Sequence, residues 1–167
     1  VALVARELEK EQVTLDLRLN RVPVTAMDPN QISQVVLNLL INARHALLDR
    51  PQRRIEVETA SGADWVQVRV SDTGCGIPAD NLVRIFTPFF STKGEHARQK
   101  TPQSKVKGTG LGLSISHTII ANHKGEITAE SAEGKGTTFR VRLPLVQVER
   151  ASPEPEEAAV EPAEGGR

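Results

Sequence analysis

The order of patterns along the 167 residues predicts an α+β fold, a two-layer sandwich in which a mixed, mainly antiparallel sheet is covered by helices on one face. Three observations carry that prediction. Apolar and polar residues alternate with period two in five short segments, helical patterns fall between those segments, and two pairs of segments read as hairpins.

From the N-terminus, "LVARELEKE" (3–11) is strongly helix-forming and "VTLDLRLN" alternates as a half-buried strand should. A long, mostly buried helix follows, with Asp28 as N-cap, Pro29 at the first helical position, Gln31 at the third and Pro51 as the stop. "RRIEVETAS" and "DWVQVRVSD" flank Gly62 as a hairpin, and "PADNLVRIF" is a short helix. Residues 94–107 lack hydrophobic periodicity and exceed most connections in length, so a mobile functional loop is expected there. Beyond it, a helix opens at "GTGLGLSIS" and runs to about Asn122, with His123 and Lys124 at its negative end and Gly125 beyond. "GEITAES" and "TTFRVRLPL" are the last strands.

Length favours one domain, residues 1–148, and composition sets its last 19 residues apart. Residues 149–167 hold six Glu and two Arg, a charge of −4 that leaves +4 on the rest, and they have too few large apolar side chains to offset their ordering entropy. A disordered acidic tail is expected. No apolar run approaches a membrane span and no signal peptide opens the chain. The single cysteine, Cys75, excludes an internal disulfide and a cysteine-built zinc site, which together make the cytoplasm the expected compartment, although a parent protein could still be membrane-attached. Aromatics are 3% with no tyrosine and the net charge is zero, which argues against nucleic acid as a partner.

Three features could carry chemistry. Gln34, Asn38 and Asn42 recur every four residues inside an apolar helix, so three amides share one stripe. They form either a buried hydrogen-bond network or a set of hard, neutral donors for Mg²⁺, with water and phosphate as the other ligands. Asp72 extends the parity of Val66, Val68 and Val70, which puts a carboxylate at the edge of the core. It either ends the strand in an Asx-type turn or accepts a hydrogen bond from an exocyclic amine of a base, with Gly74 and Gly76 letting the backbone approach a flat ring. Cys75 between them is either a small neutral filler or a redox-active thiol, and the filler is the expectation. Gly108, Gly110 and Gly112 precede or open a helix whose unpaired N–H groups attract phosphate, although glycine runs also mark ordinary turns. The loop before them carries Lys93, Arg98, Lys100, Lys105 and Lys107 against Glu95, and reads as a solvated surface or as a lid over a polyphosphate. Together these specify a metal-bound nucleoside triphosphate, and the absence of G-x-x-x-x-G-K-[ST] excludes a P-loop.

"QVVLNLLINA", "DTGCGIP", "IFTPFFSTK" and "GTGLGLSIS" resemble, in order, the N, G1, F and G2 boxes of the catalytic ATP-binding domain of sensor histidine kinases, and "GKGTTFRVRLP" resembles their closing strand. That family shares its superfamily with gyrase-type topoisomerases and mismatch-repair ATPases. The resemblance, from about Leu3 to Leu145, implies the Bergerat-type fold, ATP and Mg²⁺ as cofactors, and transfer of the γ-phosphoryl group to a histidine. It implies Asn38 and Asn42 at Mg²⁺ and the phosphates as the catalytic pair, and Asp72 on the adenine amine with Gly74, Gly76 and Ile77 beside it. Lys93, Gly108, Thr109, Gly110, Leu111 and Gly112 belong at the phosphates, and Thr137 near adenine; Thr137 also shares parity with Phe139, Val141 and Leu143.

Two departures stand out. His45 and Ala46 replace the basic residue and the tyrosine common after the second asparagine, a pattern closer to the nitrogen-regulation subgroup, and His45 either packs near the helix end or touches phosphate. The loop before the G2 box is longer than that subgroup's. The resembling hydrolytic ATPases carry a water-activating glutamate where this chain has Asn38, and an amide cannot act as a base. No histidine here is followed by Glu or Asp, so the expected partner is an upstream dimerisation and phosphoacceptor domain and, indirectly, a response regulator. Rival readings are a hydrolytic ATPase, a nucleotide-sensing module without transfer, and an anti-sigma serine kinase.

Overall fold

A computed structural model describes residues 2–90 and 110–146. The expected loop at 94–107 and the expected tail at 149–167 lie outside those residues. The elements in order are α1 (Ala2–Lys10), β1 (Thr14–Leu19), α2 (Pro29–Ala46), β2 (Arg54–Ser61), β3 (Trp65–Asp72), α3 (Ala79–Leu82), α4 (Gly112–Asn122), β4 (Glu126–Ala132) and β5 (Gly136–Pro144). The five strands form one sheet in the order β1-β2-β3-β5-β4. Among the described residues only the β1–β2 pair is parallel, and both expected hairpins, β2–β3 and β4–β5, are present.

Period-two alternation sorts the two faces of the sheet. Val57, Val66, Val70, Phe139, Val141 and Leu143 point inward to meet Val35, Leu39, Leu40 and Ala43 of α2 and Ile119 and Ile120 of α4. The intervening positions turn outward and pair by charge: Arg18 with Glu56, Arg69 with Glu56 and Glu58, and Arg140 with Glu130. Helices therefore cover one face and solvent the other. No helix among the described residues is long and apolar enough to cross a membrane.

Local chemistry adjusts the expected boundaries. Asp28 caps α2 as foreseen, its carboxylate accepting from the N–H groups of Asn30 and Gln31 at 2.9 and 3.3 Å. The N–H of Asp28 itself donates 3.0 Å to Nε2 of His123, so a ring from the far helix satisfies the donor that a Gln31 capping box would have taken. The helix ends at Ala46, short of Pro51, because Arg53 donates to the carbonyls of Leu48 and Arg50 and of Glu11 and so fixes the chain in a turn. At the end of α4 the left-handed residue is Lys124, with φ of 57°, rather than Gly125.

Candidate functional site

Two of the polar residues singled out above, Asp72 and Thr137, meet where β3 ends and β5 begins. Asp72 and Thr137 are cross-strand partners at that end of the sheet. Asp72 is only 8% exposed, and its Oδ1 accepts from the N–H of Gly74 at 2.8 Å and of Thr137 at 3.3 Å. The first of these bonds is the Asx turn expected of Asp-Thr-Gly, and both fall on one oxygen, which leaves Oδ2 for a ligand. Burial raises the Asp72 carboxyl to about 6, against the lowering effect of those two N–H groups. At neutral pH the group is mostly ionised and accepts hydrogen bonds only.

Ser131 and the loop after Asp72 lock this end together. Cys75 donates its N–H to the carbonyl of Ala46 at 3.0 Å, and its own carbonyl accepts from Gly134 at 2.7 Å. Arg50 closes the chain by donating 2.7 Å to the carbonyl of Gly134. Gly74 packs against Ala46, and Gly76, with φ of 70°, lies where a Cβ would collide with the carbonyl of Ala132. In the structure the Cβ side of each of these two glycines is taken up by the protein's own backbone and side chains. Ile77 donates its N–H to Ser131 Oγ at 2.8 Å, and that hydroxyl also meets Thr137 Oγ1 at 2.9 Å. Sequence reasoning passed over Ser131. The available signal was its parity with Ile127 and Ala129, which turns a small hydroxyl inward beside Thr137.

The amide stripe narrows to two residues. Gln34 is exposed, so water satisfies it and it needs no ligand. Asn38 is half-buried, and its Nδ2 donates to the carbonyl of Gly112 and to Ser116 Oγ, both at 3.2 Å. The hydrogen-bond network is therefore present, and because it uses the nitrogen, Oδ1 remains as a hard acceptor. Asn42, one turn further, is also half-buried. His45 lies on the last turn near Glu11, whose carboxyl is held below its usual range chiefly by the Arg44 hydrogen bond, with a smaller contribution from His45. Among the described residues no three His, Cys, Asp or Glu cluster in a way that could hold a metal ion.

Gly112 begins α4, and Leu111 before it gives that helix no side-chain cap. Leu111 precedes it and accepts from the N–H of Ile115 at 2.9 Å. Gly110, with φ of 68°, sits against the backbone of Phe89 and Phe90 and ties the G2-like segment to the F-like one. The aromatic pair Phe86 and His117, 5.5 Å apart, adds to the same junction. Lys93, Gly108 and Thr109 lie outside the described residues. The outward groove lined by Glu126, Thr128, Glu130, Arg140 and Arg142 is on the opposite face of the sheet from Asp72 and is occupied by an internal ion pair.

Residues 27–147 match the profile of the histidine kinase-, DNA gyrase B-, and HSP90-like ATPase family. The chain is 37% identical over 153 residues to the sensor histidine kinase ZraS of Escherichia coli K12, covering 91% of this chain and 30% of that protein. It is 38% identical over 140 residues to sporulation kinase E of Bacillus subtilis, covering 84% of this chain and 17% of that protein. It thus spans a third or less of these relatives. Among solved structures, the nucleotide-free catalytic domain of histidine kinase ThkA superposes with a TM-score of 0.69 at 30% identity, covering 86% of each chain. The mycobacterial sensor histidine kinase MprB shares the fold, with a TM-score of 0.67 at 22% identity over 84% of this chain and 88% of that one.

Proposed function

Because the chain belongs to the family of histidine kinase-, DNA gyrase B- and HSP90-like ATPases, we propose that it binds Mg-ATP between Asp72 and the start of α4 and transfers the γ-phosphoryl group to a histidine on a separate domain. The observation that carries this reading is the Asn38 tie. Its amide nitrogen, bonded to the Gly112 carbonyl and to Ser116 Oγ, holds its turn of α2 against the start of α4, which supports a site built from the Asn38 oxygen and the first N–H groups of that helix. Asp72 and Thr137 provide a polar wall for the base.

The chemistry follows from what each group can do. Asp72 accepts from an exocyclic amine, as adenine offers and guanine does not at the same position. The first N–H groups of α4 hold phosphate oxygens, joined in this reading by Lys93, Gly108 and Thr109. The oxygens of Asn38 and Asn42 would hold Mg²⁺, which when bound neutralises phosphate charge. Asn38 cannot take a proton from water, so hydrolysis lacks a base at this position. A neutral imidazole needs no deprotonation before attack, and positioning with charge neutralisation suffices. The acceptor belongs to a dimeric hairpin carrying a His followed by Glu or Asp, from which a response regulator draws the phosphoryl group. The reading places these steps in the cytoplasm.

The test supplies radiolabelled ATP to this chain with and without that hairpin, taken from the same protein. The expected result is no label on the chain, acid-labile label on the hairpin, and loss of transfer by at least about a hundredfold in Asn42→Ala through loss of a metal ligand. Tight ATP binding with no label on the hairpin would replace this reading by a nucleotide-sensing module.

A further inference from the structure

We infer that Ser131 is a specificity-determining residue: it consumes the Thr137 hydroxyl hydrogen and so makes the base-facing wall, Thr137 with Asp72, accept hydrogen bonds and never donate them. The inference rests on the nucleotide reading above and concerns how that site tells one purine from another.

Ser131 Oγ lies 2.8 Å from the nitrogen of Ile77, 2.8 Å from the carbonyl oxygen of Gly136 and 2.9 Å from Thr137 Oγ1. A hydroxyl has one hydrogen and two lone pairs. The Gly136 carbonyl can only accept, so the Ser131 hydrogen goes there. The Ile77 N–H can only donate, so it occupies one Ser131 lone pair. The remaining contact must then be donated by Thr137 into the second lone pair. With its hydrogen spent, Thr137 Oγ1 can only accept from anything else.

Thr137 is 5% exposed and its own N–H is bonded to Asp72 Oδ1, so the two acceptors are held side by side. A purine with an amine at position 6 satisfies such a wall. A purine with a carbonyl there also carries N1–H, so the mismatch arises where the wall meets position 6 and sets oxygen against oxygen, and a buried polar group left unpaired is the mismatch that binding sites reject most strongly. Were the Ser131 hydroxyl absent, the Thr137 hydroxyl could turn and donate to that carbonyl. Ser131 touches no base in this scheme, so it is a positioning residue.

The experiment measures the affinities of the whole chain for ATP and for inosine triphosphate, which carries a carbonyl at position 6 and a hydrogen on N1, by calorimetry. The wild type is expected to prefer ATP by about a hundredfold or more. In Ser131→Ala that ratio should fall about tenfold or more, chiefly by a gain for inosine triphosphate. Ser131→Thr, which keeps the hydroxyl, should retain the ratio. A variant that only loosened the fold would weaken both ligands together and leave the ratio unchanged. Should Ser131→Ala not fold, Ser131→Cys, with nearly the same volume and a weaker acceptor, takes the same readout. A wild-type ratio in Ser131→Ala or Ser131→Cys, or an equal loss in Ser131→Thr, overturns the inference and spares the nucleotide reading. A wild type that binds both equally overturns this inference and the base-recognition role of Asp72, and one that binds neither defeats the nucleotide reading and this inference with it.

Discussion

At Asp72 the needs of the fold and of the site oppose one another. Burial raises its carboxyl from an ordinary 3.8 to about 6, so the ionised form that serves a ligand is the form the folded chain disfavours. Below about pH 4 the group is protonated whether the chain is folded or not. Between about 4 and 6 the folded state holds a proton that the unfolded state has released, so stability declines as pH rises through that window. Above about 6 the full cost is present, on the order of 3 kcal/mol. Asp72→Asn removes that cost and keeps an oxygen for the N–H groups of Gly74 and Thr137, but it turns an NH₂ group toward the adenine amine. The expected outcome is a variant more stable than wild type at pH 7 by about 1–3 kcal/mol, with the gain vanishing below pH 4, and at least about tenfold weaker for ATP. Denaturant titrations at pH 4 and 7 with calorimetry check it, and a variant less stable than wild type at pH 7 would contradict the sign. Cys75 fits its reading as a filler, because burial first and the nearby Asp72 charge second push its thiol up and away from reactivity.

At the scale of elements, α2 and α4 meet through polar groups in the middle of an apolar interface. Ser116 is fully buried, and its hydroxyl donates 2.9 Å to the Gly112 carbonyl while accepting from Asn38 Nδ2. Ser116→Ala is expected to cost about 1–2 kcal/mol of stability and to weaken ATP binding as well, since Asn38 loses half of its anchorage. A loss of stability with ATP affinity unchanged would separate the joint from the site. The fold was largely legible because alternation and capping are local: Asp28, Pro29 and the parity of Val66 to Asp72 each act within a few residues. The Asx turn at Asp72 and the inward side of Thr137 were legible for the same reason. What escaped were partners distant in sequence. No local pattern shows that His123 takes the N–H of Asp28 across 95 residues, that Ser131 holds Ile77 across 54, or that Gln34 emerges into solvent. Glycine was the ambiguous letter, because Gly76 and Gly110 look the same whether they admit a ligand or, as in the structure, the chain's own carbonyls.

The whole molecule divides its labour by face. The outward side of the sheet neutralises itself through Asp16, Arg18, Arg54, Glu56, Glu58 and Arg69, and such half-exposed pairs contribute little individually. Among the described residues, stability comes from the core between sheet and helices, at whose edge lie the polar groups of α2, of the loop after β3 and of the start of α4. A nucleotide touching Asp72, the Asn38–Asn42 turn and the start of α4 would bridge those three elements, and because it binds only the folded chain it must stabilise it. At a hundred times its dissociation constant the gain is about 2.7 kcal/mol. For a domain of this size that corresponds to a rise of roughly 5–10 °C in melting temperature. Mg-ATP should therefore raise the melting temperature by that amount at pH 7.5, while GTP at the same concentration, lacking the amine that Asp72 accepts, should raise it by much less. The ATP effect should shrink as pH falls below about 6, because a protonated Asp72 turns from acceptor to donor. A thermal-shift series across pH with the two nucleotides reads both effects, and equal shifts for ATP and GTP at every pH would mean that the base is not recognised through Asp72.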